Sequence, residues 1–315
     1  MNTKNQSNQL NRRKFLQAGS AFAATTMFLP VEGLNLFVSQ HATRQSNSIP
    51  TVTLNNGIQM PMLGFGTNTL RDTTGVRCVS EAISVGYRLI DTAHIYGNEE
   101  AVGEGIKLSG IKREELFITS KLWVDDSGYE GTKKAFATSL NKLGLDYLDL
   151  YLIHRPRGDV KGSWKAMEEL NKEGKIRAIG VSNFQPDQLD ELMTYANIKP
   201  AINQIETHVF FQQNASYDYL KKSQIQMEAW SPFAAGRNEM FKNRVLADIG
   251  SKYNKSNAQV ILRWHYQRGI IAIPRSSQKE HMIENLNIFD FELSKPDMQT
   301  IAKLDLNKTQ FPEWG

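Results

Sequence analysis

Short apolar runs alternate with longer amphipathic segments along most of this chain. The run Leu148–Ile153 is almost wholly apolar or aromatic, as expected of a strand that is buried on both faces. In residues 131–143, Leu140 and Leu143 stand at helical spacing, and Gly144 follows at a position where it can end a helix. The pattern therefore predicts strands and helices in alternation.

The predicted elements form a repeating series. Strands are expected at residues 62–66, 89–91, 117–121, 148–154, 176–181, 201–204, 226–230 and 270–273. Helices are expected at residues 76–85, 99–107, 131–143, 163–172, 186–195, 214–222, 245–253 and 258–269, and another begins at residue 280. Before this series, residues 51–54 and 58–60 flank the turn Asn55-Asn56-Gly57 and predict a β-hairpin.

Strand and helix alternate about eight times, which is typical of a (β/α)8 (TIM) barrel of roughly 250 residues. A doubly wound parallel sheet alternates in the same way. It is disfavoured because Gly64-Phe65-Gly66 lacks the third glycine and the immediate helix of a dinucleotide-binding turn. We therefore predict an α/β fold, with a TIM barrel over residues 49–315 and an N-terminal β-hairpin that closes its bottom.

A TIM barrel carries its chemistry at the carboxyl ends of the strands, which all point to one face. Apart from one glycine, the residues at these predicted ends are polar or aromatic. They are Gly66, Asp91, Lys121, His154, Ser182-Asn183, Gln204, Trp230 and Arg275-Ser276. Strand ends with only structural roles would consist mostly of small, turn-forming residues, so we expect an active site at this face.

The first 48 residues are interpreted as a signal peptide and linker. The pair Arg12-Arg13 is followed by Phe15-Leu16 and an uncharged stretch over residues 18–31. This pattern resembles a twin-arginine export signal, and the stretch is too short and too polar for a membrane span. A disordered basic tail is the alternative. We expect a periplasmic protein without a stable membrane anchor after processing, or a cytoplasmic protein if the signal is not used.

Composition narrows the classes of partner. The 315 residues carry a net charge of +4, and no basic run is interleaved with aromatic residues, so no nucleic-acid partner is expected. Cys78 is the only cysteine, so no intrachain disulfide can form. The six histidines show no zinc-like spacing with cysteine or with each other, so no metal site is expected.

Four ionisable groups near the strand ends suit carbonyl reduction. A free phenol has a pKa of about 10, and a nearby ammonium lowers that pKa by stabilising the phenolate. We expect Lys121 to do this for Tyr96, while Asp91 keeps Lys121 charged. His154 can orient a substrate oxygen through a hydrogen bond. Together these groups provide a proton donor for a developing alkoxide.

This chemistry requires a cofactor, because no side chain supplies a hydride. Hydrogen-bonding groups that match a nicotinamide amide, next to one flat aromatic face, are Ser182, Asn183, Gln204 and Trp230. A basic loop rich in hydroxyl groups, which suits a phosphate, precedes the last predicted helix and comprises Arg275, Ser276 and Ser277.

Each of these residues, considered alone, has a simpler explanation. His154 alone would more often be a satisfied core histidine, and Trp230 alone would more often be packing. Lys121 alone could form a Schiff base with a carbonyl substrate, as in barrel aldolases. The neighbouring Asp91 and Tyr96 argue against that role, because a lysine nucleophile must be neutral.

At these positions the chain resembles the aldo-keto reductase family. The resemblance covers about residues 51–305 and follows the order of the family's motifs. The matching motifs are Asp91-Thr92-Ala93 with Tyr96-Gly97-Asn98-Glu99, Ser120-Lys121-Leu122-Trp123, Leu143-Gly144-Leu145-Asp146-Tyr147-Leu148-Asp149-Leu150, His154-Arg155-Pro156, Gly180-Val181-Ser182-Asn183-Phe184, Asn203-Gln204-Ile205-Glu206 and Ile273-Pro274-Arg275-Ser276. The run from Glu228 to Asn238 is similar to the bacterial branch that stacks nicotinamide on tryptophan.

The resemblance implies NADPH-dependent reduction of an aldehyde, ketone or keto-sugar to the alcohol. Tyr96 would donate the proton, with Lys121 and Asp91 tuning it. His154 would bind the substrate carbonyl, in a pocket lined by Trp123. The residues implied to bind the cofactor are Thr67, Asp91, Ser182, Asn183, Gln204 and Trp230 at the nicotinamide, Ser231, Phe233, Gly236 and Arg237 along the pyrophosphate, and Arg275, Ser276, Ser277, His281, Glu284 and Asn285 at the adenosine end.

The chain departs from the family at several positions. The family usually has lysine at position 275 and arginine at position 281. Arg275 keeps a charge for a 2′-phosphate, whereas the histidine at position 281 is mostly neutral near pH 7. We therefore expect a preference for NADPH that is weaker than usual, with NADH as the alternative. Arg155 stands where a bulky neutral residue is common, and Val209 replaces a usual proline.

Two other functions remain as alternatives to a carbonyl reductase. One is a nicotinamide-binding, redox-sensing subunit without significant turnover, as some relatives of this family are. The other is a Schiff-base barrel enzyme that uses Lys121. The intact set of Asp91, Tyr96, Lys121 and His154 weighs against both. For the reductase we expect a monomer that acts on a small carbonyl compound.

Overall fold

The computed structural model describes residues 49–314. The predicted twin-arginine signal and linker, residues 1–48, lie outside this range, so the signal and the domain division at residue 48 stay predictions. Within the described range, no helix is both long enough and apolar enough to cross a membrane.

Eight parallel strands form the centre of the described part of the chain, and each pairs with its neighbours in sequence. They are β3 (Gly64–Gly66), β4 (Leu89–Asp91), β5 (Phe117–Leu122), β6 (Leu148–Ile153), β7 (Ile176–Ser182), β8 (Ile202–Glu206), β9 (Gln226–Trp230) and β10 (Ile271–Ala272). The sheet closes between its first and last strands, where the Ala272 amide donates to the Met62 carbonyl over 3.2 Å. The predicted TIM barrel is confirmed.

Helices surround the strands. In residues 49–314 they are α1 (Asp72–Val85), α2 (Glu99–Ser109), α3 (Tyr129–Leu143), α4 (Val160–Lys172), α5 (Pro186–Tyr195), α6 (Asn214–Lys222), α7 (Arg244–Ser251), α8 (Asn257–Gln267), α9 (Lys279–Leu286) and α10 (Lys295–Ala302). The helix α10 was not predicted. The start of α4 was predicted at residue 163, but the Asp159 side chain caps the helix earlier by accepting a hydrogen bond from the Gly162 amide over 2.8 Å.

The predicted hairpin consists of β1 (Thr51–Thr53) and β2 (Gln59–Pro61), which pair antiparallel. Its turn is fastened to the barrel by Asn55, whose Nδ2 donates to the Pro200 carbonyl over 2.8 Å and to the Gln224 carbonyl over 3.2 Å. Both carbonyls lie in loops that lead into strands, so the hairpin closes the amino-terminal end of the barrel, as predicted.

The barrel interior is apolar at the hairpin end and polar at the opposite end. Its apolar cluster joins the hairpin to the first inward residues of the strands and comprises Leu54, Met60, Met62, Leu89, Phe117, Leu150, Leu152, Ala178, Ala201, Ile202, Ile271 and Ile273. Further along the strands, the buried polar residues include Asp91, Lys121, Gln204 and Glu228. The fold thus brings buried charges together at the carboxyl ends of the strands.

Candidate active site

A buried ion pair lies at the polar end of the barrel interior. Asp91 ends β4 and Lys121 lies in β5, and their side chains are 2% and 0% exposed. Lys121 Nζ donates to Asp91 Oδ1 over 2.6 Å and to the Thr92 carbonyl over 2.8 Å. Burial by itself lowers the pKa of Lys121, but the charge of Asp91 and its hydrogen bond oppose this, and the pKa of Lys121 is raised above its ordinary value. Lys121 is therefore a charged ammonium at neutral pH.

Tyr96 lies directly against this ammonium. It ends a short 3-10 turn, His94–Tyr96, which is followed by Gly97 in the left-handed conformation with φ 63°. The Nε of Arg71 donates to the Tyr96 carbonyl over 3.0 Å and holds the turn in place. Lys121 Nζ lies 3.5 Å from Tyr96 Oη and 5.0 Å from the centroid of its ring. Carboxylate, ammonium and phenol thus form one chain of contacts.

The net pKa of Tyr96 differs from the sequence expectation. Burial raises it above the ordinary value of 10.0, and the charge of Lys121 lowers it by less. The predicted effect of Lys121 is present, but the prediction of a more acidic phenol was wrong because it left out desolvation. The phenol therefore holds its proton at neutral pH, as a proton donor must.

His154 and Trp123 form the wall beside the phenol. The ring centroid of His154 lies 5.8 Å from that of Tyr96 and 5.2 Å from that of Trp123, both edge to face. Burial, assisted by the charges of Lys121 and Arg155, holds the pKa of His154 well below its ordinary value of 6.5. A neutral imidazole carries one N–H, so His154 can donate one hydrogen bond to a substrate oxygen.

Glu228 belongs to this network, although no role was predicted for it from the sequence. Gln204 Nε2 donates to Asp91 Oδ2 and to Glu228 Oε2, each over 2.9 Å. Burial and the Asp91 charge raise the pKa of Glu228 to about 8, so this carboxyl group is largely protonated at neutral pH. An acid between Met227 and Ala229 in a predicted strand was the available signal. Despite the two carboxyl groups, no cluster of three metal-binding side chains occurs in residues 49–314.

The site opens into a cavity of about 1280 Å³ at the carboxyl ends of the strands. Most of the residues predicted from the sequence line it, namely Thr67, Asp91, Tyr96, Trp123, His154, Asn183, Gln204, Trp230, Ser231, Phe233, Gly236, Arg237, Arg275, Ser276, Ser277, His281, Glu284 and Asn285. Two predicted residues lie behind the wall. Lys121 is covered by its contacts to Asp91 and Tyr96, and Ser182 is buried, with its hydroxyl group donating to the Gln204 carbonyl over 2.8 Å.

Asn183 fixes the positions of two neighbouring groups in the middle of the cavity. It adopts a left-handed backbone conformation with φ 65°, which asparagine tolerates better than most residues. Its Nδ2 donates to the His154 carbonyl over 3.0 Å, and its Oδ1 accepts from Trp230 Nε1 over 2.8 Å. The side chain predicted to bind a nicotinamide amide therefore also fixes the tryptophan ring and the loop that carries the histidine.

The far end of the cavity is basic and rich in hydroxyl groups. Arg275, Ser276 and Ser277 precede α9, and Ser276 Oγ accepts from the Gln278 amide over 3.0 Å. A guanidinium and the free amides of a helix N-terminus both favour an anion. This donor set fits the phosphates of a dinucleotide cofactor, and the flat face of Trp230 fits its nicotinamide.

The C-terminal residues reach the same cavity. The ring centroids of Phe311 and Trp314 lie 5.2 Å and 5.5 Å from that of Trp230. Arg237, predicted to lie along a pyrophosphate, forms an ion pair with Glu313, and its guanidinium lies 4.2 Å from the centroid of the Phe311 ring. These contacts were not predicted from the sequence, because aromatic residues in an irregular segment produce no periodic signal.

Comparison with known proteins identifies the family. Residues 62–306 match the model of the Aldo/keto reductase family. The chain belongs to the aldo-keto reductase family. Its sequence is 53% identical over 264 residues to the glyoxal reductase of Bacillus subtilis (strain 168), which covers 83% of this chain and 95% of that protein. It is 42% identical over 268 residues to a methylglyoxal reductase of Escherichia coli (strain K12), covering 84% of this chain and 97% of that protein.

Solved aldo-keto reductase structures share the fold. The enzyme of Brucella melitensis is 47% identical with a TM-score of 0.79, over 82% of this chain and all (100%) of that chain. The aldo-keto reductase of Bombyx mori, solved in complex with NADP, is 34% identical with a TM-score of 0.79, over 84% of this chain and 95% of that chain. The family resemblance inferred from the sequence motifs is confirmed.

Proposed function

We propose that this aldo-keto reductase uses NADPH to reduce a small aldehyde, ketone or keto-sugar to the alcohol, with Tyr96 as the proton donor. Membership of the family makes the chain an oxidoreductase that acts on CH–OH groups. The observation that carries the proposal is the contact series from Asp91 through Lys121 to Tyr96, beside a neutral His154. The glyoxal and methylglyoxal reductases among the relatives favour small, reactive carbonyl compounds.

Residues of this chain donate the proton and stabilise the phenolate that remains. A bound nicotinamide cofactor supplies the hydride that the carbonyl carbon accepts. Tyr96 donates its phenolic proton to the carbonyl oxygen as negative charge develops there. The phenolate that remains is stabilised by Lys121, whose Nζ lies 3.5 Å from its oxygen. Asp91 keeps Lys121 protonated and therefore able to stabilise the phenolate. Tyr96, which burial keeps protonated before the reaction, can then release its proton when the substrate oxygen becomes negative.

Other residues orient the substrate and the cofactor. His154 donates a hydrogen bond to the carbonyl oxygen and holds it near Tyr96, and Trp123 packs against the substrate body. Trp230 would stack on the nicotinamide, with its ring fixed by Asn183. Arg275 would pair with a 2′-phosphate, which supports a preference for NADPH over NADH.

The substitution Tyr96→Phe tests the assigned proton donor. It removes one hydroxyl group, so kcat for a generic aldehyde such as methylglyoxal should fall by roughly 10²- to 10⁴-fold. NADPH binding, followed by fluorescence titration, should change little. Tyr147→Phe is the control, because Tyr147 packs against Arg113 away from the cavity. Turnover that persists in Tyr96→Phe would refute the role.

The alternatives make different predictions in the same assays. A redox-sensing subunit would bind NADPH but show no turnover with any aldehyde. A Schiff-base enzyme would be trapped covalently by borohydride in the presence of a carbonyl substrate. The charged state of Lys121, held by Asp91, weighs against the second alternative.

We also propose that the N-terminal segment directs export to the periplasm. The support is the Arg12-Arg13 pair followed by Phe15-Leu16 and an uncharged stretch. The twin-arginine route carries folded proteins, so a cofactor could travel bound. Cell fractionation of the wild type and of the variant Arg12→Lys/Arg13→Lys tests this. Export requires that the wild type be periplasmic and that the variant stay in the cytoplasm.

A further inference from the structure

Arginine side chains line the substrate end of the cavity. Three arginines line the cavity around the Tyr96 turn and the end of β6, namely Arg71, Arg155 and Arg157. Asp91, a carboxyl group that lines the same cavity, is already paired with Lys121. A substrate entering this end therefore meets arginine side chains.

The remaining carboxyl groups in the cavity wall are held elsewhere. Glu313 pairs with Arg237, and Glu284 lies in α9 at the adenosine end. Neither is paired with Arg155.

Arg155 is distinct among the three arginines. Arg71 has a structural role, since its Nε donates to the Tyr96 carbonyl. Arg157 is exposed at the rim. Arg155 is half-buried, and its guanidinium makes no hydrogen bond or ion pair with any residue in 49–314. Partial burial of a charge without a partner costs free energy, which an anionic ligand would recover.

Arg155 also lines the same cavity as the reacting groups Tyr96 and His154. Its charge lowers the pKa of His154, after the larger effects of burial and Lys121. It acts in the same direction on the pKa of Tyr96, although burial dominates there. Because His154 and Arg155 are consecutive and both line the cavity, a substrate whose carbonyl oxygen contacts His154 can also reach Arg155.

We propose that Arg155 binds the carboxylate of an oxo acid whose carbonyl group lies between Tyr96 and His154. The planar guanidinium can donate two parallel hydrogen bonds to a carboxylate, a geometry that lysine cannot provide. This inference rests on the proposed carbonyl reduction and narrows its substrate class to anionic aldehydes and ketones.

Matched acids and esters test the inference. The probes are 4-oxobutanoate, glyoxylate and 4-carboxybenzaldehyde, each compared with its methyl ester at saturating NADPH. The measured quantity is the ratio of kcat/KM for the acid to kcat/KM for the ester. The wild type should favour the acid in at least one pair, and Arg155→Gln should lower that ratio by roughly 10- to 100-fold, the range expected for a charge-assisted hydrogen bond.

Two further variants sharpen the test. Arg157→Gln removes an equal charge from the same loop and should change the ratio by less than about threefold, because exposed charges are screened. Arg155→Lys keeps the charge but loses the planar guanidinium, so its ratio should lie between those of the wild type and Arg155→Gln. If Arg155→Gln does not fold, a ratio for Arg155→Lys below that of the wild type is the test. Thermal unfolding of each variant shows whether it folds.

Each outcome has one meaning. A wild type that favours the ester in all three pairs, an unchanged ratio in Arg155→Gln, or an equal loss in Arg157→Gln overturns the assignment. In those cases the esters are still reduced, so the proposed function survives. If neither acids nor esters are reduced, the proposed function itself fails, and this inference fails with it.

Discussion

At the scale of single residues, the site depends on one ammonium that is fully buried and still charged. Lys121 has no exposed surface, and desolvation alone would favour its neutral form. The carboxylate of Asp91, 2.6 Å away, reverses that preference. The partners are therefore interdependent: each is a costly buried charge without the other.

Breaking this pair should destabilise the protein. Lys121→Met leaves the Asp91 charge unpaired in the interior, so the free energy of unfolding should fall by about 3–5 kcal/mol. Adding Asp91→Asn removes that charge, so the double variant should lose less stability than the sum of the two single changes. Denaturant titration measures all three variants.

A surface pair provides the control for this cycle. Lys242 and Glu239 lie 3.6 Å apart with side chains that are 81% and 79% exposed. Lys242→Met should leave the free energy of unfolding unchanged within error, because exposed pairs contribute little. Strictly additive losses in the cycle of Lys121 and Asp91 would contradict the interdependence.

The sequence predicted which residues meet, but not how each titrates. Asp91, Lys121 and His154 could be placed together because each stands at or near the end of a strand in a parallel barrel. The net pKa of Tyr96 could not be predicted, because it depends on how much surface the phenol loses. Glu228 was missed for a related reason: whether an acid in a strand faces the interior depends on its register with the neighbouring strands.

At the scale of elements, periodicity located the strands and helices better than their ends. The helix Pro186–Tyr195 was predicted with its observed bounds, helped by a proline at its start. The last strand was predicted over residues 270–273, but only Ile271–Ala272 pair as a strand. Pairing there depends on barrel closure, which is a property of the whole sheet and leaves no local signal.

The hairpin stabilises the barrel from the end opposite to the site. Met60 in β2 is fully buried within the interior cluster. Met60→Ala should therefore lower the free energy of unfolding by about 2–5 kcal/mol through lost burial and a residual cavity. The kcat/KM of the folded enzyme should stay the same, because Tyr96 lies at the other end of the strands.

The neighbouring residue provides the matched control for the hairpin. Gln59→Ala changes an exposed side chain in the same strand and should alter stability by no more than about 0.5 kcal/mol. If Met60→Ala impaired catalysis while the protein remained folded, the proposed separation between a structural end and a catalytic end of the barrel would be wrong.

At the scale of the whole molecule, the cavity is assembled from widely separated parts of the chain. Tyr96 and Trp123 come from early loops, Arg275 follows the last strand, and Phe311 and Trp314 come from the C-terminal segment. The barrel topology predicted from the sequence explains the first three. The C-terminal contribution depends on packing against Trp230, which only the folded structure defines.

Because a cofactor would contact so many parts of the chain, its binding should stabilise the whole fold. A ligand present at 100 times its Kd adds about 2.7 kcal/mol to the free energy of unfolding, which corresponds to a rise in Tm of roughly 5–10 °C for a domain of this size. At equal concentrations, NADPH should raise Tm more than NADH does, by a small margin. A larger rise with NADH would contradict the predicted NADPH preference.

The residue that carries this preference can be tested in the same assay. Arg275→Met removes the charge expected to pair with the 2′-phosphate, so the rise in Tm with NADPH should fall to about that with NADH, which lacks this phosphate. The rise with NADH should stay the same. Lys303→Met, at an exposed position just after α10, controls for the loss of one positive charge and should leave both shifts intact. If the rise in Tm fell equally for both cofactors in Arg275→Met, Arg275 would support the fold of the binding loop and would not bind the 2′-phosphate.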